Sequence, residues 1–385
     1  MRSFLTTWRY RLVLVLLLCN TLLPWQTFAE QPRFAPLDAL MQQAVRDSVF
    51  PGASIAVLHR DKVVFHKGFG RHTYQPSSTV VDTTTIYDLA SLTKVVATTN
   101  MVMQLVERDS LKLHEPVATY LPTFAQRGKD RVTIEQLLRH TSGLRAHEHY
   151  GETCKTANGV FNTIYDDTLL SAPGSVTRYS DLGFMLLGKI IEQQTGASLA
   201  ANFNQRFAKP LGMANTMFTP PTFLYDRIAP VEADNNWHLT TTRPLVHDQN
   251  CALLGGVAGH AGLFGTTNDL IGMVRMWMNE GKVDGKRYVK AATHRAFTKQ
   301  ENTARALGWD KRSAQGYSSA GTRFSMESYG HLGFTGTSIW IDPKQELAVI
   351  LLSNRVYPSS ENIKIRAFRP RLHNTVVECL AKDGK

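Results

Sequence analysis

The sequence predicts an α+β fold: an antiparallel β-sheet flanked by helices, with a mainly helical region inserted into it. Three observations carry that prediction. Strand-like runs cluster near both ends of the chain, helical periodicity dominates the middle, and short turn signals join consecutive strands, which favours antiparallel pairing over crossover connections. The sheet part is expected at about 35–115 and 245–385, and the helical insertion at about 116–244.

In chain order, "LDALMQQAVRDS" puts Leu37, Leu40, Met41 and Val45 on one helical face. After Pro51 and Gly52, "ASIAVLHRDKVVFHKGFG" holds two β-rich runs that meet at Arg60 and Asp61, the pattern of a hairpin. From Thr93 to about Arg108 the apolar positions Val95, Val96, Met101, Val102, Leu105 and Val106 are dense enough for a buried helix. Across 115–240 Pro, Gly, Asn and Thr multiply, and helical words such as "TIEQLLRHTSGL" and "DLGFMLLGKIIEQQTG" are separated by loops. Thr266 or Thr267 is placed to cap the helix "NDLIGMVRMWMNEG". The stretch "YGHLGFTGTSIWIDPKQELAVILLSNR" gives two or three strands with a turn near Asp342 to Gln345. A last helix carries Phe368, Leu372, Val376, Val377 and Leu380.

With 385 residues, 43% hydrophobic and 19% charged, the composition is that of a folded soluble protein. The first 29 residues read as an export signal. Arg2, Arg9 and Arg11 precede an apolar run from Leu12 to Trp25, and Thr27 and Ala29 stand at the −3 and −1 places of a cleavage site. That run is short for a bilayer span, so no stable membrane insertion is expected once it is removed. Its removal leaves 40 basic residues against 32 acidic ones, a net charge of +8. No dense basic run or basic stripe with interleaved aromatics accompanies that charge, which argues against nucleic acid as a partner. Three cysteines remain, Cys154, Cys251 and Cys379, too few for a disulfide framework.

The chemistry begins at "YDLASLTKVVATT". Ser91 and Lys94 are three apart where an extended stretch turns into a helix, so Ser91 is either a helix cap or a nucleophile with a base beside it. Alone the pattern is weak, since about one match arises by chance in a chain of this length. Two further triplets add to it: Tyr179, Ser180 and Asp181 in "RYSDLGFMLLG", and His331, Leu332 and Gly333 in "YGHLGFTGTSIWIDP".

With these three triplets in this order, and with "LLRHTSGL", "GGVAGHAGLF" and "GFTGT…DP" around them, the chain resembles the serine β-lactamase and penicillin-binding protein family. The likeness is to its class C branch of DD-peptidases and esterases, and it covers residues 35–385. The resemblance implies Ser91 as the acylated nucleophile, Lys94 as the cation or base beside it, and Tyr179 as a second proton handler. It implies His331 in the place of the strand cation and an oxyanion hole from the backbone N–H groups of Ser91 and Phe334. Substrate contacts are implied at Asp181, Leu332, Gly333 and Thr335, with no cofactor. Two positions depart from the family pattern. Asp181 replaces the usual Asn and, when ionised, cannot donate to a substrate carbonyl. Leu332 replaces the usual Thr or Ser, whose hydroxyl helps bind a substrate carboxylate; Thr335 or Thr337 would have to compensate.

Other polar groups read as structural. "GGVAGHAGLFG" lacks a phosphate-loop ending and is expected to form tight turns lining the cleft, with His260 a candidate wall residue. His147, Glu148 and His149 do not have metal-ligand spacing, so no metal is expected. His247 and Asp248 read as a surface loop pair, with a hydrogen-bonded unit near the cleft as the alternative. Cys251 has no base placed near it. The expected function is an exported, periplasmic or extracellular serine hydrolase acting through an acyl-enzyme on D-alanyl peptides of peptidoglycan. The alternatives are a carboxylesterase of the same fold acting on small esters, and a non-catalytic sensor or scaffold.

Overall fold

The structure, a computed structural model, describes residues 32–232, 246–299 and 305–381. The expected export signal at 1–29 lies outside the described residues. Among those residues no helix is long and apolar enough to cross a membrane.

A first helix, α1 (Ala35–Arg46), leads into a hairpin of β1 (Gly52–His59) and β2 (Lys62–Gly70). Arg60 and Asp61 both take positive φ, 51° and 62°, the backbone of a two-residue turn whose twist matches its strands. The C-terminal half adds β3 (Asp310–Lys311), β4 (Tyr329–Leu332), β5 (Ser338–Asp342) and β6 (Leu347–Ser353). Together they form one antiparallel six-stranded sheet in the order β2-β1-β6-β5-β4-β3, so strands from the two ends of the chain pair at β1 and β6. At the β5 to β6 turn, the Asp342 carboxylate accepts from the backbone N–H of Lys344 and Gln345.

Strand β6 reads "LAVILLS" because both of its faces are covered. Its side chains alternate, so Leu347, Val349 and Leu351 pack with Leu37 and Met41 of α1 and with Phe368, Leu372 and Val376 of the last helix. Ala348, Ile350 and Leu352 face the second and larger core, which the interior helices build. That larger core includes Leu182, Phe184, Leu186 and Ile190 of the helix Asp181–Thr195, which ends at Gly196 with φ 68°. The region 116–244 also supplies a short strand, Met217–Phe218, which pairs with Leu263–Gly265; Leu263–Gly265 pairs in turn with Tyr87–Asp88. This small sheet brings the entrance to the Ser91 turn against the Gly-rich segment. The helix Thr267–Met278 starts as its sequence suggests, with the Thr266 hydroxyl accepting from Asp269 N–H at 3.1 Å.

Candidate active site

Ser91 sits in a single 3-10 turn, Ala90–Leu92, at the foot of a buried helix that begins as a π-helical run, Lys94–Thr99, and continues as α-helix Asn100–Glu107. The Ser91 side chain caps neither segment. Its hydroxyl accepts a hydrogen bond from Lys94 Nζ at 2.8 Å. The turn is held from below: Ala90 adopts φ 46°, and its N–H donates to the Asp88 carboxylate at 2.8 Å. The other Asp88 oxygen accepts from His247 N–H at 2.7 Å, and burial pushes that carboxyl up to about 6.

Lys94 is fully buried, and its three donors are all directed. They reach Ser91 Oγ, Asp181 Oδ1 at 2.7 Å and the His260 carbonyl at 3.1 Å. Burial by itself would lower the Lys94 pKa, but the carboxylate of Asp181 and the Tyr179 hydroxyl outweigh it and the ammonium is held above its ordinary value. Burial likewise disfavours an ionised Asp181, and Lys94 and His147 reverse that, keeping its carboxylate charged. The Gly-rich segment explains the third contact. Gly259 packs so closely on the helix Asp181–Thr195 that a Cβ would lie 2.0 Å from the Phe184 carbonyl, which lets the following backbone reach Lys94. The His260 ring is fully buried and turns the other way, to Asp248 at 2.9 Å.

Tyr179 is 37% exposed at the mouth, with Lys94 Nζ 5.0 Å from its ring centre. Its pKa lies above that of a free tyrosine because burial disfavours the phenolate, with Lys94 offsetting only part and Asp181 adding to the rise. The ring is fixed by His140, whose ring centroid is 4.5 Å away and whose Nδ1 accepts from Ser180 N–H at 2.9 Å. Arg305 lies 5.4 Å from the Tyr179 ring centre and pairs with Asp310.

His331 is buried between the sheet and Tyr179, with ring centroids 6.0 Å apart, and its Nδ1 donates to the Leu332 carbonyl at 2.8 Å. Burial, reinforced by Arg305 and Lys94 against the opposing Asp310, pushes it down to about 4. The strand position expected to bear a cation therefore holds a neutral imidazole at neutral pH and does not help to ionise Tyr179. Beyond it, Gly333 has no room for a side chain, since a Cβ would meet Thr337 Oγ1 at 1.9 Å and the Leu89 carbonyl at 2.6 Å. Thr335 and Thr337 do not replace the hydroxyl missing at Leu332. Both are buried and donate to the carbonyls of Asp88 and Leu89, at 2.8 and 3.1 Å, so they brace the Ser91 turn instead of facing a substrate.

These groups open into a cleft of about 710 Å³ lined by Ser91, Tyr179, His331, Leu332, Gly333 and Phe334 on one side. Arg355, Arg366 and Arg369 line it on the other. Arg355 and Arg369 are committed to the backbone: Arg355 Nε donates to Phe334 O at 2.8 Å, and Arg369 Nη2 to Thr337 O at 2.8 Å. Arg366 is exposed and its guanidinium has no ion-pair partner among the described residues. Strand β3 pairs only with Tyr329 and Gly330, so the β4 edge from His331 to Gly333 extends past it into the cleft.

The remaining sequence candidates take other places. His247 and Asp248 do not bond to each other: His247 pairs with Glu232 at 3.0 Å and stacks on Phe334 at 5.3 Å, while Asp248 holds His260. Both therefore lie beside the site and not on a remote surface loop. His147, Glu148 and His149 face three different partners, Asp181, Arg145 and Gln249. Among the described residues Cys154, Cys251 and Cys379 are buried and form no disulfide, and burial holds the Cys251 thiol well above its usual pKa. Motif reading missed His140 and Asp88, which accept hydrogen bonds from the backbone of Ser180, Ala90 and His247, and Arg305 and Arg366, which lie near the site as charges.

The chain is similar in sequence and in fold to known proteins. The sequence profile described as Beta-lactamase matches residues 37–370. A protein of Escherichia coli O157:H7 that carries the provisional name D-alanyl-D-alanine carboxypeptidase is 31% identical over 359 residues, 84% of this chain and 82% of its own. A penicillin-binding protein homologue from Caulobacter crescentus shares the fold at a TM-score of 0.72 and 20% identity, covering 91% of this chain and 98% of its own. EstCE1, a hydrolase with promiscuous acyltransferase activity, matches at a TM-score of 0.68 and 22% identity over 88% and 98% of the two chains.

Proposed function

The chain belongs to the beta-lactamase family of serine hydrolases, and from that premise we propose that it forms an acyl-enzyme at Ser91 and cleaves the terminal amide of D-alanyl peptides outside the cytoplasm. The observation that carries the reading is the 2.8 Å contact between Ser91 and a buried Lys94 at the floor of an open cleft. Ser91 Oγ attacks the substrate carbonyl, and the backbone N–H groups of Ser91 and Phe334 receive the developing oxyanion. The unpaired edge of β4 accepts an extended peptide as an added strand, with Gly333 leaving space for its backbone. Arg366 offers the free cation for a terminal carboxylate that Leu332 no longer helps to hold. The E. coli relative's name points the same way.

Asp181 keeps Lys94 as an ammonium, and burial keeps Tyr179 as a phenol, so the resting site has no ready base. The Ser91 proton is taken only after this network gives up one of its own, from Tyr179 or from Lys94. Acylation therefore speeds up as pH rises from neutral into the alkaline range. Tyr179 then returns a proton to the leaving amine and serves the deacylating water.

A carboxylesterase is the second reading, favoured by Leu332 and by the exposed apolar rim of Phe334, Ile363 and Tyr317, which suits an acyl chain more than a carboxylate. The deciding experiment is the intact mass of the protein and of Ser91→Ala after exposure to benzylpenicillin, alongside D-alanine release from an N-acylated D-Ala-D-Ala peptide. An adduct on the wild type alone, with D-alanine released, supports the peptidase. Neither of these, with turnover of short-chain p-nitrophenyl esters, supports the esterase, and a Ser91 inert to every acylating probe would leave a binding protein.

A further inference from the structure

The segment 145–147 is tied to the N-terminus of the helix Asp181–Thr195 by two hydrogen bonds. Ser180 Oγ donates to Arg145 O at 2.7 Å, and Asp181 N–H donates to Ala146 O at 2.9 Å. The next side chain, His147, is thereby set with Nδ1 3.5 Å from Asp181 Oδ2, while Lys94 holds the other oxygen at 2.7 Å. Side-chain exposure falls from 34% at His147 to 16% at Asp181 and 0% at Lys94, so one carboxylate links a solvent-facing imidazole to the buried ammonium beside Ser91. An asparagine at 181 could not do this, because it has a single acceptor oxygen and no charge.

We propose that His147 is a positioning residue for acylation, acting through the Asp181 carboxylate on Lys94, and that its protonation sets how firmly Asp181 holds the Lys94 ammonium. The proposal rests on the reading of Ser91 and Lys94 as the reacting pair. A separation of 3.5 Å is long for a neutral hydrogen bond and within ion-pair range, so the contact strengthens when the ring gains a proton.

The groups around His147 favour that proton. Asp181 faces it from the helix, Glu148 follows it in the chain and pairs with Arg145 at 2.7 Å, and Asp248 acts from the N-terminus of the helix Gln249–Leu253. The edge-on ring of His149 lies 5.0 Å away and Lys94 stands beyond Asp181, while partial burial opposes the proton. The contact with Asp181 raises the His147 pKa more than partial burial lowers it. When His147 is charged, Lys94, Asp181 and His147 together carry one net positive charge, and any group accepting the Ser91 proton must do so against it. When His147 is neutral that charge is gone, so its titration shapes the acid side of the rate profile.

The test is the first-turnover release of p-nitrophenol from p-nitrophenyl acetate, read at a wavelength where phenol and phenolate absorb equally: the Ser91 proton passes to the Lys94–Tyr179 network, Ser91 Oγ gains the acetyl group, and the phenolate leaves with the bonding pair. Wild type should show an acid-side inflection above about pH 6.5. His147→Gln keeps a donor toward Asp181 without the titration and should lose that inflection. After both are normalised at alkaline pH, it should react about tenfold faster than wild type near pH 5. Superimposable normalised profiles would overturn the proposal. An NMR titration of the His147 imidazole checks the coupling without any substrate: its pKa should fall on Asp181→Asn, and an unchanged value would also overturn it. Absence of any Ser91-dependent release from wild type would bring down the acyl-enzyme reading and this proposal together, whereas release with superimposable profiles removes this proposal alone.

Discussion

Lys94 is held by charge on one side and by the reaction on the other, and the two can be separated by substitution. Lys94→Ala leaves the Asp181 carboxylate buried without its main partner, at a cost of about 3 kcal/mol in stability at neutral pH. The sign of the pH dependence follows from Asp181. In the wild type its folded pKa is depressed, so its contribution is complete above the unfolded carboxyl pKa of about 3.9 and is lost as pH falls below that. In the variant burial raises that pKa, so the penalty is present at neutral pH and disappears as Asp181 takes up a proton. Urea unfolding should therefore show a deficit that shrinks on acidification, and a second substitution, Asp181→Asn, should recover most of it. A deficit that grows on acidification would mean that the pair is not the source of the loss. Ser91→Ala, by contrast, removes only the nucleophile and should leave the unfolding midpoint close to wild type while abolishing covalent labelling.

At the scale of elements, the end of β4 and the middle of β6 have different duties. Gly333→Ala would drive a Cβ into Thr337 Oγ1 and the Leu89 carbonyl, displacing the loop that carries Phe334, so acylation should slow by more than about tenfold. Leu351→Ala removes a fully buried side chain from the core between the sheet and the two terminal helices, costing about 3 kcal/mol in stability. Its acylation rate, measured well below the unfolding temperature, should remain near wild type. Equal effects of the two on labelling would show that the site senses the whole sheet and not its edge. The same elements mark what the sequence could say. Unbroken β-rich runs made β1 and β6 legible, and the Arg60–Asp61 turn joined two strands with no intervening element to hide it. The site triplets were legible as order and spacing. What could not be read was where a hydroxyl points: Thr335 looked available for substrate but is committed to Asp88, and His331 looked like a cation until its burial was known. Nor does spacing reveal His140 or His147, which meet Tyr179 and Asp181 through backbone hydrogen bonds between segments distant in sequence.

For the whole molecule, the two cores and the sheet between them are laced with histidines that fold as neutral rings. Burial pushes His66, His294, His331 and His373 each to about 4, from positions on β2, on the helix Ala291–Thr298, on β4 and on the last helix. An unfolded histidine binds its proton near pH 6.5, so between that value and about 4 the unfolded chain binds up to four more protons at these sites than the native one. Stability is then complete above about pH 6.5 and falls as pH drops through that window. Asp88, Asp269 and His147 work in the opposite direction, since burial raises the two carboxyl pKa values and Asp181 raises that of His147, so the native state gains protons there first. Burial lowers His72 and His140 as well, so three such groups stand against six lowered histidines and leave these in control, and the paired carboxylates add their own loss only below about pH 4. Urea midpoints taken near pH 7, 5.5 and 4.5 should decline steadily with no change in the slope of the transition. A midpoint independent of pH over that range would mean that the folded protein lets protons reach all four rings. Because those rings lie on both faces of the sheet, that result would require the two cores to open together without unfolding.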